Sequence, residues 1–212
     1  ATATGGTITV HASQVQLNNG ANITATSSGV GNAGTITVTA EENIVLLGRS
    51  SIVSAAEGEG NGGLVSLTAP SIEMHGNSNI VTSTSGLGKA GDIELQGNQV
   101  NLTTESFVTA RTQAKGHGGN ITIRGLTGEG SRAIDVTLSD NSQLVSETTG
   151  QLLGEGDAGS ILVETARLNL SGGSLFNTAS VFSTGAAGNI TVNATDSLTI
   201  SGHGTQLFSA SE

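Results

Sequence analysis

Apolar residues alternate with polar ones in short bursts along the whole chain, and the bursts themselves recur. The leading burst of each set reads Gly6-Thr7-Ile8-Thr9-Val10, Gly34-Thr35-Ile36-Thr37-Val38, Gly63-Leu64-Val65-Ser66-Leu67, Gly91-Asp92-Ile93-Glu94-Leu95, Gly119-Asn120-Ile121-Thr122-Ile123, Gly159-Ser160-Ile161-Leu162-Val163 and Gly188-Asn189-Ile190-Thr191-Val192. Their glycines are 28, 29, 28, 28, 40 and 29 residues apart, so one module occurs seven times with a single long interval. Alternation with period two predicts strands with one face apolar, and no stretch carries the 3.6-residue period of a helix.

Each module holds three such segments. In the first they are Thr7-Ile8-Thr9-Val10, Gln14-Val15-Gln16-Leu17 and Asn22-Ile23-Thr24-Ala25. The middle segment carries the apolar series Leu17, Leu46, Met74, Leu102, Leu138, Leu170 and Ile200. The third segment is expected to place Ile23, Ile52, Ile80, Phe107, Leu144, Leu175 and Leu207 inward. Three strands in about 28 residues, joined by Gly, Asn and Ser corners, predict one turn of a right-handed parallel β-helix. Seven turns at about 4.8 Å each make a rod roughly 34 Å long, a single all-β solenoid domain over residues 1–212. A lone turn cannot close a core, so each is stabilised by its neighbours.

Composition fits a solenoid. The 32 glycines fall mainly at corners, and the one proline, Pro70, sits between segments. Without cysteine there is neither a disulfide framework nor thiolate chemistry. A net charge of -10 disfavours nucleic acid and anionic membranes as partners. No apolar run is long enough to cross a bilayer as a helix. The opening residues have no signal-peptide pattern, and neither end shows a capping element. The expectation is a segment of a longer solenoid, or ends that join other chains.

Several patterns invite a chemical reading. Gly-x-Gly-x-x-Gly occurs at Gly29, Gly31 and Gly34 and returns at the module period, but each copy opens a strand, whereas a dinucleotide site must open a helix. The column Asn32, Asn61, Lys89, His117, Asp157 and Ala186 at these corners reads as a solvated surface. Acidity and glycine-rich turns suggest calcium as the ion such a chain could bind. The regular aspartate of calcium-binding β-rolls is missing, so no cofactor or metal is expected. An ice-binding plane is disfavoured because the outward Thr7/Thr9 and Thr35/Thr37 rank breaks at Leu64/Ser66. No paired carboxylates, metal-ligand spacing or nucleophile elbow marks a catalytic residue, and the chain is read as a non-enzyme.

Two irregularities give candidate binding surfaces. The long interval enlarges two corners together, and their residues Glu129, Arg132, Glu155 and Asp157 are proposed as walls of a shallow polar groove for a cation or a sugar. Val53, Val81, Val108, Val145, Phe176 and Phe208 follow the inward residue of the third segment, where alternation points outward. They form either a lateral apolar docking stripe or, if the chain bends, additional core.

The string Gly-Asn-Ala-Gly-Thr-Ile-Thr-Val at 31–38, with Asn43-Ile44-Val45-Leu46 and Ser51-Ile52-Val53-Ser54 behind it, resembles the repeats of filamentous-haemagglutinin-type exoproteins of two-partner secretion, abundant in cyanobacteria and other Gram-negative bacteria. The likeness runs over essentially the whole chain, although the family's N-terminal secretion domain is not in this sequence. The resemblance implies an extracellular or cell-surface β-helix serving as adhesin, surface fibre or stalk, exported through an outer-membrane partner. It carries over no catalytic residues. The expected partners are a cell-surface glycan or protein, or further copies of the chain. The alternative is a polysaccharide-active β-helix enzyme resembling pectate lyases.

Overall fold

Among residues 4–154 and 156–211, which the computed structural model describes, every regular element is a strand. The first turn is β1 (Ile8–Leu17) and β2 (Asn22–Thr24), and the second is β3 (Ile36–Leu47) and β4 (Ser51–Ala56). The third comprises β5 (Val65–Thr68), β6 (Ser71–His75) and β7 (Asn79–Thr84), and the fourth β8 (Ile93–Gln96), β9 (Gln99–Leu102) and β10 (Phe107–Thr112). The fifth holds β11 (Ile121–Arg124), β12 (Ala133–Leu138) and β13 (Gln143–Gly154). The sixth is β14 (Ile161–Leu170) and β15 (Leu175–Ser183), and the seventh β16 (Ile190–Ile200) and β17 (Gln206–Ser211).

Strands pair in parallel with the same segment of the next turn, which makes a β-solenoid of seven turns. First and second segments share one ten-stranded sheet; third segments form a separate seven-stranded sheet in the order β17-β15-β13-β10-β7-β4-β2. Where the first two segments run together as one strand, the bend between them absorbs a register shift, at Ala12/Gln14 and at Thr165/Arg167. In the long fifth turn β12 still pairs in register with β9 and β14. Its extra residues are accommodated outside the ladder, in the stretch 125–132 and in the elongated β13.

Three apolar columns fill the interior. Ile36, Val65, Ile93, Ile121 and Ile161 stack in the first, and Leu46, Met74, Leu102, Leu138 and Leu170 in the second, all fully buried. The third column corrects the sequence reading. Register pairs Ile80 with Val108 and Leu144 with Phe176, so Val108 and Phe176 are the inward residues, with no solvent exposure. Phe107 and Leu175 point outward, stacked on Asn79 and Gln143. At each place two consecutive apolar residues satisfy either alternation, and hydrophobicity alone selected the wrong one.

Polar ladders accompany the apolar ones. Ser54, Thr82, Ser146 and Thr178 share one fully buried column with Ala110. Their hydroxyls face the column of glycine corners that open the first segments, of their own turn or of the next. Ser54 Oγ donates to Gly34 O at 2.7 Å and accepts from Gly63 N at 3.0 Å, Ser146 Oγ donates to Gly119 O at 2.7 Å, and Thr178 Oγ1 donates to Gly188 O at 2.8 Å. A second buried column, Ser50, Ser78, Ser106, Ser142 and Ser174, lies at the corner before the third segment. There Ser50, Ser78, Ser106 and Ser174 each donate to a carbonyl three residues earlier, at 2.7 Å. Because a buried peptide group without a partner costs on the order of 1–3 kcal/mol, these hydroxyls let the backbone turn inside the rod.

At the glycine corners successive turns touch backbone to backbone. A Cβ on Gly91 would lie 2.0 Å from the carbonyl oxygen of Gly63, and one on Gly119 would lie 2.0 Å from that of Gly91. This close approach, rather than phosphate binding, accounts for the recurrent glycine pattern.

Candidate functional site

The corner column that reads from sequence as a solvated surface is a hydrogen-bond ladder. Asn32 Oδ1 accepts from Asn61 N at 2.9 Å, and Asn61 Oδ1 accepts from Lys89 N at 2.7 Å. His117 Nδ1 accepts from Asp157 N at 3.1 Å, and Asp157 Oδ1 accepts from Ala186 N at 2.7 Å. A neighbouring ladder runs from Asp92 to Asn120 to Ser160 to Asn189, each side chain accepting from the amide of the next turn. Side chains here cap backbone donors and hold the corners in step.

Of the four groove residues, Glu129 and Arg132 are exposed in the stretch between β11 and β12. That stretch is folded on itself by Gly125 N donating to Ser131 O at 3.3 Å and Ser131 N donating to Gly128 O at 3.1 Å. Asp157 stands on the corner that leads into β14, with its carboxylate 3.6 Å from His117. Glu155 lies outside the described residues. The span of β11, four residues or about 13 Å, separates the corner of Asp157 from that of Glu129 and Arg132. These groups flank the first-segment face without converging on one point, and Asp157 is already engaged as a cap.

The apolar stripe divides. Val108 and Phe176 belong to the core, so they are withdrawn from it. Val53, Val81, Val145 and Phe208 face outward in one column that continues through Thr109 and Asn177. Register alternates throughout, and Val53, Val81 and Phe208 keep partial or full exposure, but at the Leu144-Val145 pair both residues are buried, Val145 at 8 % exposure and outside the core cluster. Beside this column run Phe107 and Leu175 on one side and Ala55, Ser83, Arg111, Glu147 and Ala179 on the other.

Charge is distributed unevenly around the rod. The seven strands of the third-segment sheet contain two ionisable residues, Arg111 and Glu147, of opposite sign and in register with each other. Their side chains approach to 3.6 Å. The Nε of Arg111 and the Oδ1 of Asn177, both on this face, are buried without hydrogen-bond partners. Ser85, Arg111, Gln113 and Thr149 line a shallow depression of about 370 Å³ at its edge.

Other ion pairs decorate the first two segments. Arg167 holds Asp135 of the preceding turn through two 2.6 Å hydrogen bonds and reaches Asp196 of the following turn at 3.8 Å. The hydrogen bond and charge of Asp135 push its guanidinium above the usual arginine range. Arg124 pairs with Glu94 at 3.3 Å. No group of three or more His, Cys, Asp or Glu side chains is placed to hold a metal ion among the described residues.

The neutrality of the third-segment face and the two internal hydroxyl columns escaped the sequence reading. The recurring Ser-x-apolar triplet at Ser50, Ser78, Ser106, Ser142 and Ser174 was the available signal, because it fixes which residue points inward. No protein-family model, curated protein or solved structure matches this chain.

Proposed function

We propose that the chain is a structural and adhesive β-solenoid rod, part of an extracellular fibre or surface adhesin. The observation that carries this reading is the recurrence of its ladders: aliphatic, hydroxyl and corner side chains return from turn to turn at matching positions of parallel-paired strands. Such a lattice resists bending and local opening, because separating two turns breaks backbone, packing and capping interactions together. Stiffness with a polar exterior suits presentation of binding surfaces at a distance. The repeat strings that resemble filamentous-haemagglutinin-type exoproteins support the same assignment. On this reading the chain works outside a Gram-negative cell, is exported through an outer-membrane partner, and meets surface glycans or proteins.

Beads coated with the purified chain test the idea. Retention on cells or glycan surfaces under flow, lost on competition with the free chain, is the expected result. Release of unsaturated or reducing sugar ends from acidic polysaccharides, without adhesion, would replace it with the enzymatic reading.

A further inference from the structure

We infer that the outer face of the third-segment sheet is a self-association surface, on which a second copy of this chain docks face to face with its rod antiparallel. Three observations converge. The face carries apolar groups that are at least partly exposed, with Val53, Val81, Phe107, Leu175 and Phe208 among its outward residues. It is electrically neutral in a chain of net charge -10, so it is the side on which two copies approach with least repulsion. Its only charges, Arg111 and Glu147, are adjacent, opposite and in register.

That last feature makes the surface self-complementary. A two-fold axis running along the strands, midway between β10 and β13, lays Arg111 of each copy over Glu147 of the other. The same operation sets Val53 over Phe208 of the second copy and Val81 over Asn177. The axis lies between the fourth and fifth of seven turns, so nearly the whole length of both faces is covered. The 3.6 Å separation within one copy leaves the Arg111–Glu147 pair loosely made, with the Arg111 side chain partly exposed. An interchain pair through its terminal guanidinium nitrogens adds a charge-assisted hydrogen bond.

A face about 20 Å wide and roughly 30 Å long covers about 600 Å² per copy, at the small end for specific association, so the expected dissociation constant is micromolar. The inference deepens the rod reading by naming one partner. Its test reads mass rather than adhesion, so each can fail without the other.

Sedimentation velocity of the 212-residue chain across about 1 to 100 µM is expected to show a monomer–dimer equilibrium. Val81→Lys should weaken it about tenfold or more while leaving the circular dichroism melting curve in place. Arg111→Glu and Glu147→Arg should each be monomeric alone and form a dimer when mixed, a rescue that pairing within one copy cannot produce. A wild-type chain that stays monomeric, a Val81→Lys dimer of unchanged affinity, or a charge-variant mixture that stays monomeric overturns the inference.

Discussion

The buried hydroxyl of Ser54 donates a 2.7 Å hydrogen bond to the carbonyl oxygen of Gly34, 20 residues earlier in the chain. Ser54 Oγ also accepts from the amide of Gly63 at 3.0 Å, so one side chain ties together the glycine corners of two successive turns. Removing it leaves a peptide donor and a peptide acceptor inside the rod. Ser54→Ala is expected to cost about 1–3 kcal/mol, read as a fall in denaturation midpoint, whereas Ser85→Ala, whose hydroxyl reaches Glu57 O at an exposed site, should change stability by less than about 0.5 kcal/mol.

The glycine corners give a sharper contrast. Gly91→Ala forces a methyl group onto the Gly63 carbonyl oxygen 2.0 Å away, which the parallel ladder cannot relieve without separating turns. A loss of about 3 kcal/mol or more is expected, with exchange protection falling in both flanking turns. Gly6→Ala meets nothing within 4 Å and should be neutral.

Register in the third segment is testable by pairs of truncations. Phe176→Ala opens a cavity in the core and should cost about 3–5 kcal/mol, while Leu175→Ala, on the outer face, should cost less than about 1 kcal/mol. Chemical denaturation of the two variants orders them, and equal losses would mean that the chain does not alternate at this point.

The corner ladder predicts a capping role for Asp157. Asp157→Ala removes the acceptor for the amide of Ala186, which lies in an exposed corner where water can substitute. Faster amide exchange at the sixth-to-seventh turn corner, with a stability change below about 1 kcal/mol, is the expected outcome of hydrogen-exchange mass spectrometry.

The periodic glycine and the alternating aliphatics made the seven-turn stack legible from sequence, because each inward column must remain apolar to close the core. Ile36, Val65, Ile93 and Ile121 say so one module at a time. Legibility ended where two neighbouring residues were both apolar. Phe107-Val108 and Leu175-Phe176 admit either register, and the deciding information lay one residue earlier, in the buried serines Ser106 and Ser174 whose hydroxyls satisfy the corner backbone. The candidate surfaces were harder still. The spacing places Glu129 and Arg132 between the first and second segments of the long module, but it does not say whether they converge with Asp157. The neutrality of the third-segment face emerges only when outward residues from seven separate segments are assembled into one sheet.

The stacking itself is most directly measured between positions that share one outward column. Thr9 and Thr191 are six register steps apart, through Thr37, Ser66, Glu94, Thr122 and Leu162, and both are exposed. The chain has no native cysteine, so Thr9→Cys with Thr191→Cys accepts two spin labels cleanly. Pulsed electron spin resonance should then give one narrow distance distribution centred near about 29 Å, six inter-strand spacings. A broad distribution, or a mean displaced from that value by more than about 10 Å, would contradict the in-register stack.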